Sequence, residues 1–331
     1  MAERRLRVLH APINVAGGPG AISAGLRALG HQSMLLVFNE RPFVRGYDRN
    51  LDLVRGRGVL GLARNLPRQA RAFAWALREF DILHYHFGQS LLPRHVDERI
   101  ARRRGKGIVH HFWGSDLRDK PPEAVAFLRH ADAAIVGSFL TRRRAPTGAW
   151  PPYAVIPPAI DLAGWEPAPP QPGPRVRIVH APSQRAGKGT QAVLDAIETL
   201  QREGAPIDLD LIEGVPHAEA RQRYAHADLV IDQVRLGWYG LTSIEAMALG
   251  KPVVCHLDPE AADETDAAFG VPLPHVRADG AALPGVLREL VRDPEQLPAL
   301  GAASRAYAEA VHAHDRVAAR VVDVYRAAGI A

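Results

Sequence analysis

The chain has 331 residues, more than one hydrophobic core usually serves, so two domains of about 150 residues each are expected. Hydrophobic residues make up 47% and charged residues 23%, and the single cysteine, Cys255, excludes an intramolecular disulfide and any cysteine-built zinc site. The net charge of +5 comes largely from arginine, clustered in 102–106 and 141–146, but no aromatic residues interleave with these clusters. A solvated basic face is therefore preferred over a nucleic-acid surface.

No apolar run approaches the roughly 20 residues of a membrane span. The basic start MAERRLRVLH has no apolar stretch behind it and does not read as a signal peptide. A cytoplasmic protein is expected, with peripheral contact to the inner membrane face left open through its basic surface.

In chain order, short apolar strands are expected at 6–10, 33–38, 82–86, 108–111 and 133–137, with a helix over 21–29. After the first strand comes AGGPG, whose Gly17, Gly18 and Gly20 let the backbone turn tightly and approach a ligand ahead of a helix N-terminus. The G-x-G-x-x-G spacing is missing, and tight strand–helix turns are also Gly-rich for packing alone. HYHFG (84–88) sets His84 and His86 on one face of a strand, and HHFWGSD (110–116) places His110, His111 and Asp116 at the end of another. A metal would need further ligands converging from separate strands, so no metal is expected; cleft-lining or hydrogen-bonded histidines are the default.

EPAPPQPGPR (166–175) is the strongest break, because its prolines fit neither helix interior nor central strand. Beyond it, strands are expected at 176–180, 209–212, 229–232 and 252–255, and helices over 189–203 and 244–249, with 217–230 an amphipathic helix leading into a strand and two more helices within 301–328. Strands alternating with helices on both sides of the break imply an α/β protein with two doubly wound, Rossmann-like domains. The boundaries expected are 1–165 for the first domain, 166–174 for the linker, 175–310 for the second domain, and 311–331 for a final helix. RLRVLHAPINVAGGPG and RVRIVHAPSQRAGKGT also begin the two halves alike, either as paired ligand loops or as two ordinary strand–turn–helix units.

The second half carries the sharper chemistry. Arg185 and Lys188 stand just before a helix, where the dipole disfavours cations and a phosphate would welcome them. In RLGWYGLTSIEAMALGKPVV (235–254), Gly240, Leu241 and Thr242 open a helix whose free N–H groups suit a phosphate, while Thr242 or Ser243 can equally cap it. Glu245 reads either as a dipole-compensating acid or as an acceptor for vicinal sugar hydroxyls.

GLTSIEAMALGKPVV closely resembles the G-L-x-x-x-E-A-M-A-x-G-x-P-V-V signature of family four glycosyltransferases, which have the GT-B fold. LRALGH, ADAAIVGS, VIPPAIDLAGWEP, KGTQAVLDAI and RYAHADLVID resemble that family's segments in the same order along nearly the whole chain. The resemblance implies two domains facing across a cleft and a retaining transfer from a nucleotide-diphosphate sugar to an acceptor hydroxyl, with no metal and no separate cofactor. It implies that Gly17 and Gly18 border the donor phosphates, Arg185 and Lys188 neutralise the leaving group, and Glu245 holds the ribose. His111 or Asp116 is expected to serve the reacting sugar, and loops around 39–60 and 85–95 the unidentified acceptor, a small molecule, a glycan or a lipid-linked glycan.

Three positions depart from the family. Gly237 stands where a second acid usually lies, Trp113 where a histidine often lies, and Arg185 only three residues before Lys188. A non-catalytic nucleotide-sugar-binding subunit and a sugar-nucleotide epimerase are the competing readings.

Overall fold

The computed structural model describes residues 4–15, 17–40, 46–54 and 59–331, and divides into two compact units, Met1–Ile160 with His314–Ala331, and Asp161–Ala313. Part of the 39–60 loop expected to serve an acceptor lies outside the described residues.

In the first unit the strands are β1 (Arg7–Ala11), β2 (Gln32–Val37), β3 (Arg49–Asn50), β4 (Ile82–His86), β5 (Gly107–Phe112), β6 (Ala133–Val136) and β7 (Tyr153–Val155). They form one parallel sheet in the order β3-β2-β1-β4-β5-β6-β7, which reverses direction between β1 and β4. Its helices are α1 (Gly18–Ala28), α2 (Val59–Glu79), α3 (Val96–Arg103) and α4 (Phe139–Arg143), joined by the C-terminal helix (His314–Ala327). Neighbouring strand residues face opposite ways, and here both faces are apolar. Leu9, Leu83 and Ile108 pack with Ala72, Phe73 and Ala76 of α2; Val8, Ile82 and Val109 pack with Ile22 and Leu26 of α1 and Val317, Val321 and Tyr325 of the C-terminal helix. Each such buried side chain contributes roughly 1.5–3 kcal/mol. The near-continuous apolar strands of the sequence are thus the two-sided signature of a parallel sheet.

The second unit repeats the plan with β8 (Val176–His180), β9 (Ile207–Leu211), β10 (Leu229–Gln233), β11 (Val253–Cys255) and β12 (Val276–Arg277), parallel in the order β12-β11-β10-β8-β9. Its helices are α5 (Arg185–Lys188), α6 (Thr190–Arg202), α7 (His217–His226), α8 (Leu241–Ala248), α9 (Pro259–Phe269), α10 (Leu283–Arg292) and α11 (Leu297–Tyr307). Ile178, Ile207, Leu229 and Ile231 pack with Val193, Ile197 and Leu200 of α6 and Leu283, Leu287 and Leu290 of α10. Here the order reverses between β8 and β10, and ligands of open α/β sheets bind beyond the carboxyl ends of strands at such a reversal. The helix expected over 189–203 begins after a break: Gly189 adopts φ +75°, so Arg185–Lys188 form a separate turn.

Candidate functional site

In the second unit, the residues after β8 and β10 build a buried cation site. Gly189 closes the α5 turn in the left-handed region, and a Cβ there would sit 2.6 Å from Val234 Cγ2, so no other residue fits without strain. The turn delivers Lys188, only 8% exposed, whose ammonium donates to Asp232 Oδ1 at the end of β10. Asp232 is fully buried; its Oδ2 accepts from the Gly240 N–H at 2.6 Å and from the Ser243 hydroxyl at 2.7 Å. Burial alone would raise its pKa, but Lys188, the Gly240 N–H and the Ser243 hydroxyl together hold it below the usual carboxylate value. A Cβ on Gly240 would lie 3.1 Å from Lys188 Nζ, so a larger residue there would press on the ammonium.

Gly240 is the extended N-cap of α8, and no side chain caps it. Ser243 is committed to Asp232, and Thr242 bonds Tyr224. The exposed N–H end of α8 therefore starts beside a fixed ammonium, a pairing of dipole and charge that favours an anion. Further along the same helix Glu245 is 5% exposed, and its Oε1 accepts from His217 Nε2 at 2.7 Å. That hydrogen bond raises the His217 pKa. Arg185 is exposed and pairs with Glu213.

The loop between β10 and α8 is held by one residue that sequence reasoning passes over. The buried Gln233 amide accepts from the Arg235 and Leu236 N–H groups at 2.8 and 2.6 Å and donates to the Trp238 and His256 carbonyls at 3.1 and 2.6 Å. The loop leaves Gly237 at φ +79°, a conformation costly for an aspartate or glutamate, with its carbonyl accepting from the Asp258 N–H at 2.8 Å. Asp232, five residues before it, does not replace that acid: it is fully buried and bound to Lys188.

In the first unit, Gly17 is the left-handed N-cap of α1, φ +75°, and Gly18 begins the helix. A Cβ on Gly18 would overlap the Trp113 ring, so the glycine makes room for the indole. Trp113 stacks on His111 with centroids 4.6 Å apart and planes 8° from parallel. His111 has no exposed surface, and burial pushes its pKa down to about 3. It is neutral and screened beneath Trp113, which does not fit direct contact with a sugar. The Asp116 carboxylate accepts from the backbone N–H groups of Trp113, at 3.0 and 3.1 Å, and of Gly114, at 2.7 Å. It shapes the turn that presents Trp113 rather than standing free.

Two doubly wound parallel sheets with these strand orders in one chain are the GT-B fold. No family model and no curated protein matches the chain. Among solved structures it is similar to sucrose-phosphate synthase from Thermosynechococcus elongatus, with 17% identity, 97% of this chain and 98% of that one covered, and a TM-score of 0.64. HepE of Anabaena in complex with UDP is 15% identical over 97% of this chain and 100% of that one, with a TM-score of 0.64. The catalytic domain of starch synthase IV from Arabidopsis thaliana, bound to ADP and acarbose, is 12% identical over 98% and 99%, with a TM-score of 0.66. Among the described residues, no helix is long and apolar enough to cross a membrane.

Proposed function

We propose that the chain is a glycosyltransferase of family four, in a divergent subgroup, that transfers a sugar from a nucleotide-diphosphate donor to an acceptor hydroxyl with retention. The observation that carries this reading is Lys188, fixed by buried Asp232 beside the uncapped start of α8. Expelling a nucleoside diphosphate develops negative charge, and a fixed cation beside helix N–H groups stabilises it without a metal. Lys188 takes the diphosphate oxygens, Arg185 leaves Glu213 to join it, and Leu241 and Thr242 present their N–H groups. Glu245 accepts from the ribose hydroxyls, held in orientation by His217. Gly17 and Gly18 are assigned to the donor phosphates on the resemblance of their loop. The C1–O bond to the diphosphate breaks as the acceptor oxygen bonds C1 on the same face, and the acceptor proton passes to the departing diphosphate.

HepE has been solved with UDP, with UDP and glucose, and with UDP-glucose, and starch synthase IV with ADP and acarbose, which supports a UDP- or ADP-linked donor here. The acceptor is a small molecule, a glycan or a lipid-linked glycan, and the setting is the cytoplasm, with peripheral contact at the inner membrane face for a lipid-linked one. A thermal-shift panel of nucleotide sugars, followed by donor hydrolysis with the best binder, tests the reading. Stabilisation by one nucleotide sugar and slow release of its sugar are expected; no stabilisation by any would remove it.

Gly237 at φ +79° and the Trp113 ring over Gly18 favour one competing reading, a nucleotide-sugar-binding subunit without turnover. Stabilisation with no sugar release under any acceptor identifies that case.

A further inference from the structure

Four histidines of the first unit lie together where its strand order reverses. His10 on β1 stands opposite His84 on β4, and His86 opposite His111 on β5. All four are fully buried. The His84 ring lies 4.7 Å from those of His10 and His86 and 5.4 Å from that of His111. The two-residue period of β4 puts His84 and His86 on one face. Positions like these in a parallel sheet are usually aliphatic, because a buried polar atom without a partner costs about 1–3 kcal/mol.

Partners are scarce here. His10 Nδ1 lies 3.0 Å from His86 Nε2, and His84 Nδ1 lies 2.6 Å from the Tyr325 hydroxyl. Trp113 Nε1 makes a long contact of 3.4 Å to His86 Nδ1. His10 Nε2, His84 Nε2 and both nitrogens of His111 have no hydrogen-bond partner. Burial pushes the His10 and His111 pKa values down to about 3 and those of His84 and His86 well below the ordinary value. Four neutral rings, each with a lone pair, thus share one buried layer.

We infer that His10, His84 and His86 form a binding site for a late first-row divalent cation, Zn2+ in the first place, separate from the transfer chemistry. One ring nitrogen of each lies within 4.8 Å of the others. A point equidistant from three atoms so spaced is about 2.8 Å from each, so movements under about 1 Å bring all three to a Zn–N bond of roughly 2.0–2.1 Å. A metal on His84 Nε2 requires the Nδ1–H tautomer, whose proton would be donated to the Tyr325 hydroxyl, the usual outer-shell support of a metal histidine. An all-imidazole donor set selects zinc, copper, nickel or cobalt and disfavours magnesium and calcium, which take oxygen. Three imidazoles leave the fourth tetrahedral position to a water that enters with the ion, and a buried site of this kind clasps β1 to β4 and, through Tyr325, to the C-terminal helix. In the second group with metal-like spacing, His95, Glu98 and His110, the carboxylate already joins the two rings: Glu98 Oε1 accepts from both histidines, at 2.6 and 2.9 Å.

The test uses the full chain, stripped with a chelator and titrated with Zn2+ alone against a chromophoric competitor, then with Co2+ to read its absorption. One Zn2+ per chain, a tetrahedral Co2+ spectrum and a higher melting temperature are expected. His84→Gln should weaken binding by about 100-fold or more, and Tyr325→Phe by about 10-fold. Absence of stoichiometric Zn2+ in the wild-type chain overturns the site, as does an unchanged affinity in a folded His84→Gln chain. If that variant fails to fold, the wild-type Co2+ spectrum decides alone, since octahedral oxygen-type absorption also overturns it. Nucleotide-sugar stabilisation of the stripped chain is read separately, so failure of the metal site leaves the transferase reading standing.

Discussion

At the scale of single residues, Lys188 and Asp232 form one unit. Removing the ammonium alone leaves a fully buried carboxylate unpaired, which costs about 3–5 kcal/mol. Lys188→Ala is therefore expected to lower the melting temperature as well as turnover, and loss of activity in it is ambiguous. The double variant Lys188→Met with Asp232→Asn removes both charges. It should recover most of the melting temperature yet transfer sugar at least about 100-fold more slowly; near wild-type turnover would reject Lys188 as the leaving-group cation. Glu245 and His217 give a pH signature. The Glu245 hydrogen bond raises the folded-state pKa of His217, so its stabilisation is fully present below the ordinary value of about 6.5 and is lost as pH rises through the raised one. The gap in melting temperature between wild type and His217→Ala should accordingly be widest in acid and close towards alkaline pH. Glu245 and Lys188 were legible from their sequence because helix starts and glycine loops are local signals. Their partners were not, since His217 and Asp232 lie 28 and 44 positions away and meet them only through the alignment of strands.

At the scale of elements, the central strands and the edge strand β9 were legible, and the remaining edges were not. β1, β4, β5, β6, β8 and β10 set apolar residues on both strand faces because helices cover both faces of their sheets, and only histidines, Arg7, Arg177, Asp232 and Gln233 interrupt them. β3, β7 and β12 have only two or three residues each, too few for any period to show. The break at Gly189 was also hidden, because one glycine inside a helical pattern does not announce a left-handed backbone. Helix contacts depend on similar single atoms. A Cβ on Gly25 of α1 would overlap the His314 carbonyl oxygen, a backbone atom that cannot swing away. Gly25→Ala is expected to cost about 1–3 kcal/mol, measured as a lower denaturation midpoint with the slope unchanged. An unchanged midpoint would show that α1 and the C-terminal helix do not pack this closely.

At the scale of the whole molecule, the first unit is assembled from two distant stretches of chain, and the second from the one between them. Val317, Ala318, Val321, Val322 and Tyr325 cover the face of the first sheet that Val8, Ile82 and Val109 present. Deleting 314–331 should therefore abolish the melting transition of the first unit and expose an apolar surface that binds a hydrophobic dye. Retention of two cooperative transitions in that deletion would contradict the shared core. The same interruption sets an order of events during translation. Residues 161–313 emerge in one piece and can complete their core while the ribosome is still adding 314–331, whereas 1–160 must wait for 314–331. The opening half of this polypeptide thus spends the longest time half-dressed, and chaperone dependence should follow the codons for 314–331 rather than those for 1–160.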